Sequence, residues 1–192
     1  MIEVGDIVRD HRAYGEMRSE RRAAIIPLRE GRRVLLGDLV GLEFENSQTL
    51  TFQTQEMVYT ERLESDSEVE HEIEAYSTML PSRDSLVATL FIYLRDAEAI
   101  TYELQRLQGL HTSIAVEIGE HRIPGVPITP PDQEHDDVTV SVHVLRFTFS
   151  SAAREAFLDP TIPAIVTVDH PEYSDDAAIA GSLRGELISD LT

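Results

Sequence analysis

Two histidines and a glutamate stand where their types could do chemistry. His143 lies in an alternating run between Val142 and Val144, on the side of Ser141 and Leu145, so its imidazole points to the interior. An interior imidazole needs a partner. A neutral ring bonded to a backbone or hydroxyl group satisfies that need, and so does a metal ligand or proton carrier, since imidazole serves both roles near neutral pH. His170 follows the apolar run 164–168 within Asp169-His170-Pro171-Glu172-Tyr173. There Asp169 could orient a ring nitrogen from behind, as a carboxylate does for a metal-bound histidine; a turn built by Asp and Pro accounts for the same letters. Gln55 and Glu56 fall between Phe52 and Tyr59 on the apolar stripe of a helix. A carboxylate desolvated there must be paired, protonated or bound to a cation, and an arginine is the simplest partner. If Glu56, His143 and His170 converge, they make a two-histidine, one-carboxylate set suited to a divalent metal: Fe, Mn or Zn. His11, His71, His111, His121 and the run 133–137 are expected in solvent.

The elements that must position these groups follow from periodicity. Residues 10–24 read as a short helix or arm, with 1–20 an N-terminal arm, and 34–36 and 39–44 as short strands broken by Gly37 and Gly41. The stripe Phe52, Gln55, Glu56, Tyr59, Leu63 predicts a helix over 49–63. Ser67-x-x-Glu70 reads as a capping box, followed by Val69, Ile73, Tyr76 and Leu80 at helical spacing until Pro81. Both alternating faces of 85–94 are apolar, which predicts a strand covered on both sides. Asp96 is placed to cap a helix with Ile100, Leu104 and Leu107 inward, ended by Gly109. Residues 112–118 alternate as a strand, and 121–137, rich in proline and acid, reads as a surface loop. Val138, Val140, Val142 and Val144 then face one way and Ser141, His143, Leu145, Phe147 and Phe149 the other, again implying cover on both sides. Ser150 or Ser151 caps a brief helix, 164–168 forms a strand, and Leu183, Leu187 and Leu191 mark a closing helix. Without regular strand–helix alternation, the expectation is one α+β domain over 1–192, a mainly antiparallel sheet with helices packed on it.

Composition narrows the function classes. The chain has no cysteine, which excludes a disulfide framework, thiolate-held clusters and a nucleophilic thiol in this subunit. Its formal charge is −19, and all 16 of its basic Lys+Arg positions are arginine. Such a surface repels itself in dilute salt, but near 1 M salt the Debye length falls to about 3 Å and the penalty fades. The composition suits a cell holding molar salt; an ordinary acidic protein is the other reading. Nucleic acid is disfavoured, because phosphate binding needs clustered cations. Arg18, Arg21, Arg22, Arg29, Arg32 and Arg33 form the one basic concentration, expected to pair with nearby carboxylates. The opening residues carry acids without a signal-peptide core and nowhere do eighteen apolar residues run together, so the expected setting is cytoplasmic, with no membrane attachment. There is no phosphate-cradling glycine loop, G-x-S-x-G elbow, H-E-x-x-H or dinucleotide fingerprint.

Phe44-Glu45-Asn46, Thr49, Gln53, Gln55-Glu56-Met57 and Glu61, then Glu74, Tyr76, Leu80-Pro81, Ala88-Thr89, Gly109, Ser141-x-His143, Phe147 and Asp169-His170-Pro171-x-Tyr173 occur in order. This series resembles the domain of unknown function 3501 family, from about residue 21 to 191. The resemblance adds Gln53, Glu61, Ser141 and Tyr173 to the candidate polar cluster of Gln55, Glu56, His143, Asp169 and His170. It implies a genomic setting beside rubrerythrin-like proteins and iron–sulfur oxidoreductases, hence an accessory protein of a redox or peroxide-defence system, in which the set of His143, His170 and Glu56 would hold one metal. The alternatives are a small metal-dependent enzyme, or a ligand-binding or scaffold domain without catalysis. Tyr59 and Tyr93 stand where the family resemblance implies arginine and glutamate, which predicts that the two rings touch.

Overall fold

Asp10 begins the first helix because its carboxylate accepts the backbone N–H groups of Arg12 and Ala13, two of the donors a helix start leaves open. The computed structural model describes residues 2–94, 100–128 and 141–192. In it α1 (His11–Gly31) is longer than the expected 10–24 and continues through Pro27, with Tyr14 its one buried residue. The residues ahead of it are packed rather than trailing: Ile2 and Ile7 are buried.

The two expected short strands, β1 (Arg33–Leu36) and β2 (Val40–Phe44), pair as a hairpin. Its turn needs glycine at 37, where φ is +58 and a Cβ would strike the Tyr173 hydroxyl and the Asp175 carboxylate. Next comes α2 (Ser47–Glu61), where Asn46 and Thr49 cap each other's backbone. The start of α3 (Asp66–Ser77) uses Ser65-x-x-Glu68, one capping box earlier than expected. β3 (Ser85–Ile92) is buried throughout except at Phe91. Then follow α4 (Ile100–Arg106), a 3-10 turn at Leu110–Ser113, β4 (Ile114–Ile118), β5 (His121–Ile128) and β6 (Val142–Thr148). The chain ends with α5 (Ser151–Leu158), β7 (Ala164–His170), β8 (Tyr173–Ala178) and α6 (Gly181–Asp190). Asp96, Val138 and Val140, and the part of the expected loop from 129 to 137, lie outside the described residues.

The eight strands run β1-β2-β3-β6-β5-β4-β7-β8, with every neighbouring pair antiparallel. The sheet curls until its two ends approach, and the Tyr173 hydroxyl on β8 donates to the carbonyl of Leu36 on β1 at 2.5 Å. "Helices on a sheet" is thus corrected to a nearly closed barrel with helices around it. Leu36, Leu42, Leu90, Val116, Leu145, Phe147 and Val166 fill the interior at 0 % exposure. A second, smaller core lies outside the barrel, where Leu50 and Val58 of α2 and Val69 and Ile73 of α3 cover Val87.

Three sequence readings are corrected. Residues 121–128 are a strand, not part of a loop: 121–124 pair with β4 and 125–128 with β6. Each half is therefore paired on one side only, which is how Pro124 and Pro127 are tolerated without N–H donors. Strand β8, where the sequence pattern predicts no element, is an edge strand with alternating exposure. β6 is covered unevenly, with Leu145 and Phe147 fully buried but Val142 45 % exposed. Among the described residues, no helix is long and apolar enough to cross a membrane.

Candidate functional site

The polar stripe of α2 faces α1. The two helices run antiparallel, with His11 and Tyr14 against Tyr59 at one end and Arg22, Ile25 and Arg29 facing Phe52 and Gln53 further along. Because α1 buries so little apolar surface, its attachment depends on arginine clasps. Glu56 accepts from Arg18 Nε and Nη2 at 2.9 and 2.7 Å, from Arg22 Nη1 at 3.0 Å and from the Tyr14 hydroxyl at 2.9 Å. Arg18, more than the other donors, holds the Glu56 carboxyl below its ordinary pKa. Burial first, and then the hydrogen bond to Glu56, push the Tyr14 phenol up, so it remains a donor. At the far end Arg29 grips Glu43 through Nε and Nη2, both at 2.9 Å, and Arg33 Nη2 adds a contact at 3.3 Å. Arg32, fully buried, donates to the carbonyls of Phe44 and Glu45 and pairs with Asp190.

Between the clasps, α1, α2 and α3 leave a cleft of about 420 Å³, within the size range of small-molecule sites. Ile25, Ile26, Phe52 and Met57 give it apolar walls; Arg22, Arg29, Gln53, Glu61 and Tyr76 give it polar ones. Beneath it Glu45, 2 % exposed, accepts from Gln53 Nε2 at 2.9 Å and from the Thr49 and Thr89 hydroxyls, each at 2.5 Å. Burial, followed by the charges of Glu72 and Glu45, raises the Tyr76 phenol, which stays protonated. Five residues that carry the family resemblance line this cleft: Gln53, Glu56, Met57, Glu61 and Tyr76. A larger opening of about 680 Å³ lies between the end of α1 and the outer face of β1 and β3, but none of those residues lines it. A further opening of about 470 Å³ between α1 and α2 takes in one residue of the series, Gln55, so the cleft lined by five of them is the better candidate.

The structure does not bring Glu56, His143 and His170 into one site. Glu56 is held on α1 outside the barrel. His143, on the inner face of β6, stacks on His111 with ring centroids 4.2 Å apart. His170 Nδ1 accepts from the backbone of Glu172 at 3.2 Å, which places the proton on Nε2 for donation to the Gln108 carbonyl at 3.0 Å. One nitrogen thus serves the β7–β8 turn and the other ties that turn to the segment after α4. Among the described residues, no three His, Asp or Glu side chains are grouped to hold a metal. Gln55 clamps the backbone of Val8 from both sides, at 2.6 and 3.0 Å. Ser141 and Asp169 are exposed, and Tyr173 ties the barrel ends.

Tyr59 and Tyr93 do not touch. Tyr59 packs on His11 and Tyr14 near the start of α1, whereas Tyr93 lies against Gly41 beside the opening that includes Ile26 and Arg29. Some fifteen residues of helix, about 20 Å at 1.5 Å each, separate those neighbourhoods. His111 is also corrected: it is half-buried, its Nδ1 is sealed without a hydrogen bond, and burial lowers its pKa. Sequence reading missed Glu45 as a buried carboxylate: it precedes the cap of α2, and Thr49 and Gln53, one turn apart on that helix, reach back to it.

The family model described as "Protein of unknown function (DUF3501)" matches residues 1–191. A crystal structure of a novel protein of unknown function from Burkholderia pseudomallei K96243 is similar over 100% of both chains, with 26% sequence identity and a TM-score of 0.88. No curated protein matches the chain.

Proposed function

The chain belongs to the DUF3501 family of proteins of unknown function, and from that premise we propose that it is a ligand-binding domain without chemistry of its own. In the same proposal it serves as a cytoplasmic accessory protein of an iron–sulfur or rubrerythrin-type redox or peroxide-defence system in a salt-rich cell. The observation that carries the binding role is the cleft between α1, α2 and α3, where residues of the family series meet around unfilled space. The acid–base groups beside it support binding over catalysis. Glu56 already accepts two donors on each carboxylate oxygen, which suits a fixed framework better than a proton carrier. The redox setting rests on the family resemblance. With no cysteine in this subunit, any thiolate-held iron belongs to the partner.

A neutral fluorescent probe, phenylnaphthylamine, tests the binding role in molar KCl. Saturable one-site binding is expected, with Phe52→Ala weakening it about tenfold, in line with the 0.5–1.5 kcal/mol of an aromatic contact plus its lost area. Absence of saturable binding removes the reading. Affinity purification from the native cell at native salt tests the setting: an iron-bearing partner should accompany the chain, and recovery of the chain alone would overturn the accessory role.

A further inference from the structure

Resting on that reading of the cleft, we propose that its ligand is an amphipathic organic anion, held through its acid group by Arg22 and Arg29 with its apolar body on Ile25, Phe52 and Met57.

The donor and acceptor inventory carries this. Each clasp that frames the cleft has two arginines for one carboxylate: Arg18 and Arg22 on Glu56, Arg29 and Arg33 on Glu43. A guanidinium has five N–H donors in a planar fork. Arg22 commits Nη1 to Glu56, and Arg29 commits Nε and Nη2 to Glu43. Arg22 Nε and Nη2 and Arg29 Nη1 are left for a ligand, and both side chains line the cleft, at 55% and 30% exposure. Of the two carboxylates that line the cleft, Glu56 already takes four donors and Glu61 is exposed to solvent, so two guanidiniums face one carboxylate still open to a ligand.

The placement of charge agrees. Residues 1–33 hold eight arginines against six Asp and Glu, whereas the remaining residues hold eight against 29. The segment containing α1 is thus the cation-rich part of a strongly acidic chain. Repulsion from the rest acts over about 10 Å at 0.1 M salt but only about 3 Å at 1 M, so in molar salt contact with the two guanidiniums dominates. Arg22 and Arg29 lie two turns apart, about 10.5 Å along α1, with Ile25 and Ile26 between them on the same face. Both arginine side chains are long enough to reach over the intervening isoleucines, so the two guanidiniums can meet on one acid group above an apolar floor. Gln53 completes the recognition: its amide N–H is committed to Glu45, so its carbonyl oxygen is free to accept from a hydroxyl or N–H on the ligand.

Two probes that share an aromatic body separate this from the parent reading: anilinonaphthalene sulfonate, which is anionic, and phenylnaphthylamine, which is neutral. In molar KCl the anionic probe should bind about tenfold more tightly than the neutral one, since a hydrogen bond to a charged group contributes about 1.5–3 kcal/mol. Arg22→Gln and Arg29→Gln should each remove about that tenfold gain and leave the neutral probe within about twofold. Arg18 and Arg33 keep Glu56 and Glu43 paired in these variants, and thermal midpoints report that the fold is retained. Arg12→Gln, exposed and outside the cleft, is the control for general charge and should change neither probe. Equal affinity for the two probes, or no response to either substitution, overturns the anion proposal while leaving a binding cleft. Failure of both probes to bind removes both readings.

Discussion

Replacing Glu56 by glutamine should loosen α1 without emptying the core. The substitution keeps shape and one acceptor oxygen but removes the charge that gathers Arg18, Arg22 and Tyr14. Hydrogen bonds to charged groups contribute about 1.5–3 kcal/mol each, yet Arg18 and Arg22 are 35% and 55% exposed and regain water when released. Exposed pairs are worth about 0–1 kcal/mol, so the net loss should be about 2 kcal/mol. For a chain of this length each kcal/mol lowers the thermal midpoint by about 2–4 °C, giving a fall of about 4–8 °C. Circular dichroism in molar KCl reads the midpoint, and native-state hydrogen exchange reads whether α1 opens before the barrel does. The pH dependence supplies a second check. Glu56 is held below its ordinary value of 4.5 in the fold, so its contribution is present above 4.5 and disappears as pH falls through the folded value. The gap between native and variant should therefore narrow in acid. A midpoint unchanged within about a degree, with α1 exchange also unchanged, would refute the idea that this clasp secures the helix.

Three other outcomes follow from the same geometry. Arg32→Ala should cost about 3–5 kcal/mol, because it leaves Asp190 buried without its cation and two carbonyls without a donor; equilibrium denaturation checks this, and Arg32→Lys, lacking the planar fork, should recover only part. Tyr173→Phe should cost about 1 kcal/mol and accelerate amide exchange in β1 and β8, since its hydroxyl links the barrel ends. His111 has its pKa lowered from 6.5 by burial, so the unfolded chain binds a proton first and stability should fall as pH drops from 6.5 toward the folded value. His111→Phe, which keeps a ring against His143, should flatten that slope in denaturant midpoints; an unchanged slope would show that another group sets it.

Much of the fold was legible because its signals were periodic. The two apolar faces of 85–94 give β3, a strand covered on both sides, and the Leu183, Leu187, Leu191 spacing gives α6, a helix with one buried face. The misreadings had local causes. Ser65 and Ser67 each stand three residues before a glutamate, so two capping boxes overlap with starts two residues apart, and packing of Val69 and Ile73 admits either start. Proline in 121–128 argues for a loop only when a strand must bond on both sides, and β5 changes partner midway. Acidic β8 carried no apolar pattern because it is an edge strand, where charged side chains also discourage pairing with another chain.

The site was harder to read because a polar residue on an apolar stripe reports burial and says nothing about which other buried groups it meets. Glu56 and His143 were each placed inward, and each is enclosed, but they belong to different cores: one to the helices outside the barrel, the other to its interior. The two cores share a wall, β3, whose alternate residues Val87 and Leu90 face opposite ways. A period of two therefore assigns Thr89 to the outer side with Val87, where it reaches Glu45, and assigns His143, the pairing neighbour of Leu90, to the inner side. Strand register, rather than residue type, is what separates the imidazoles from the carboxylates and leaves arginine as the partner of Glu56.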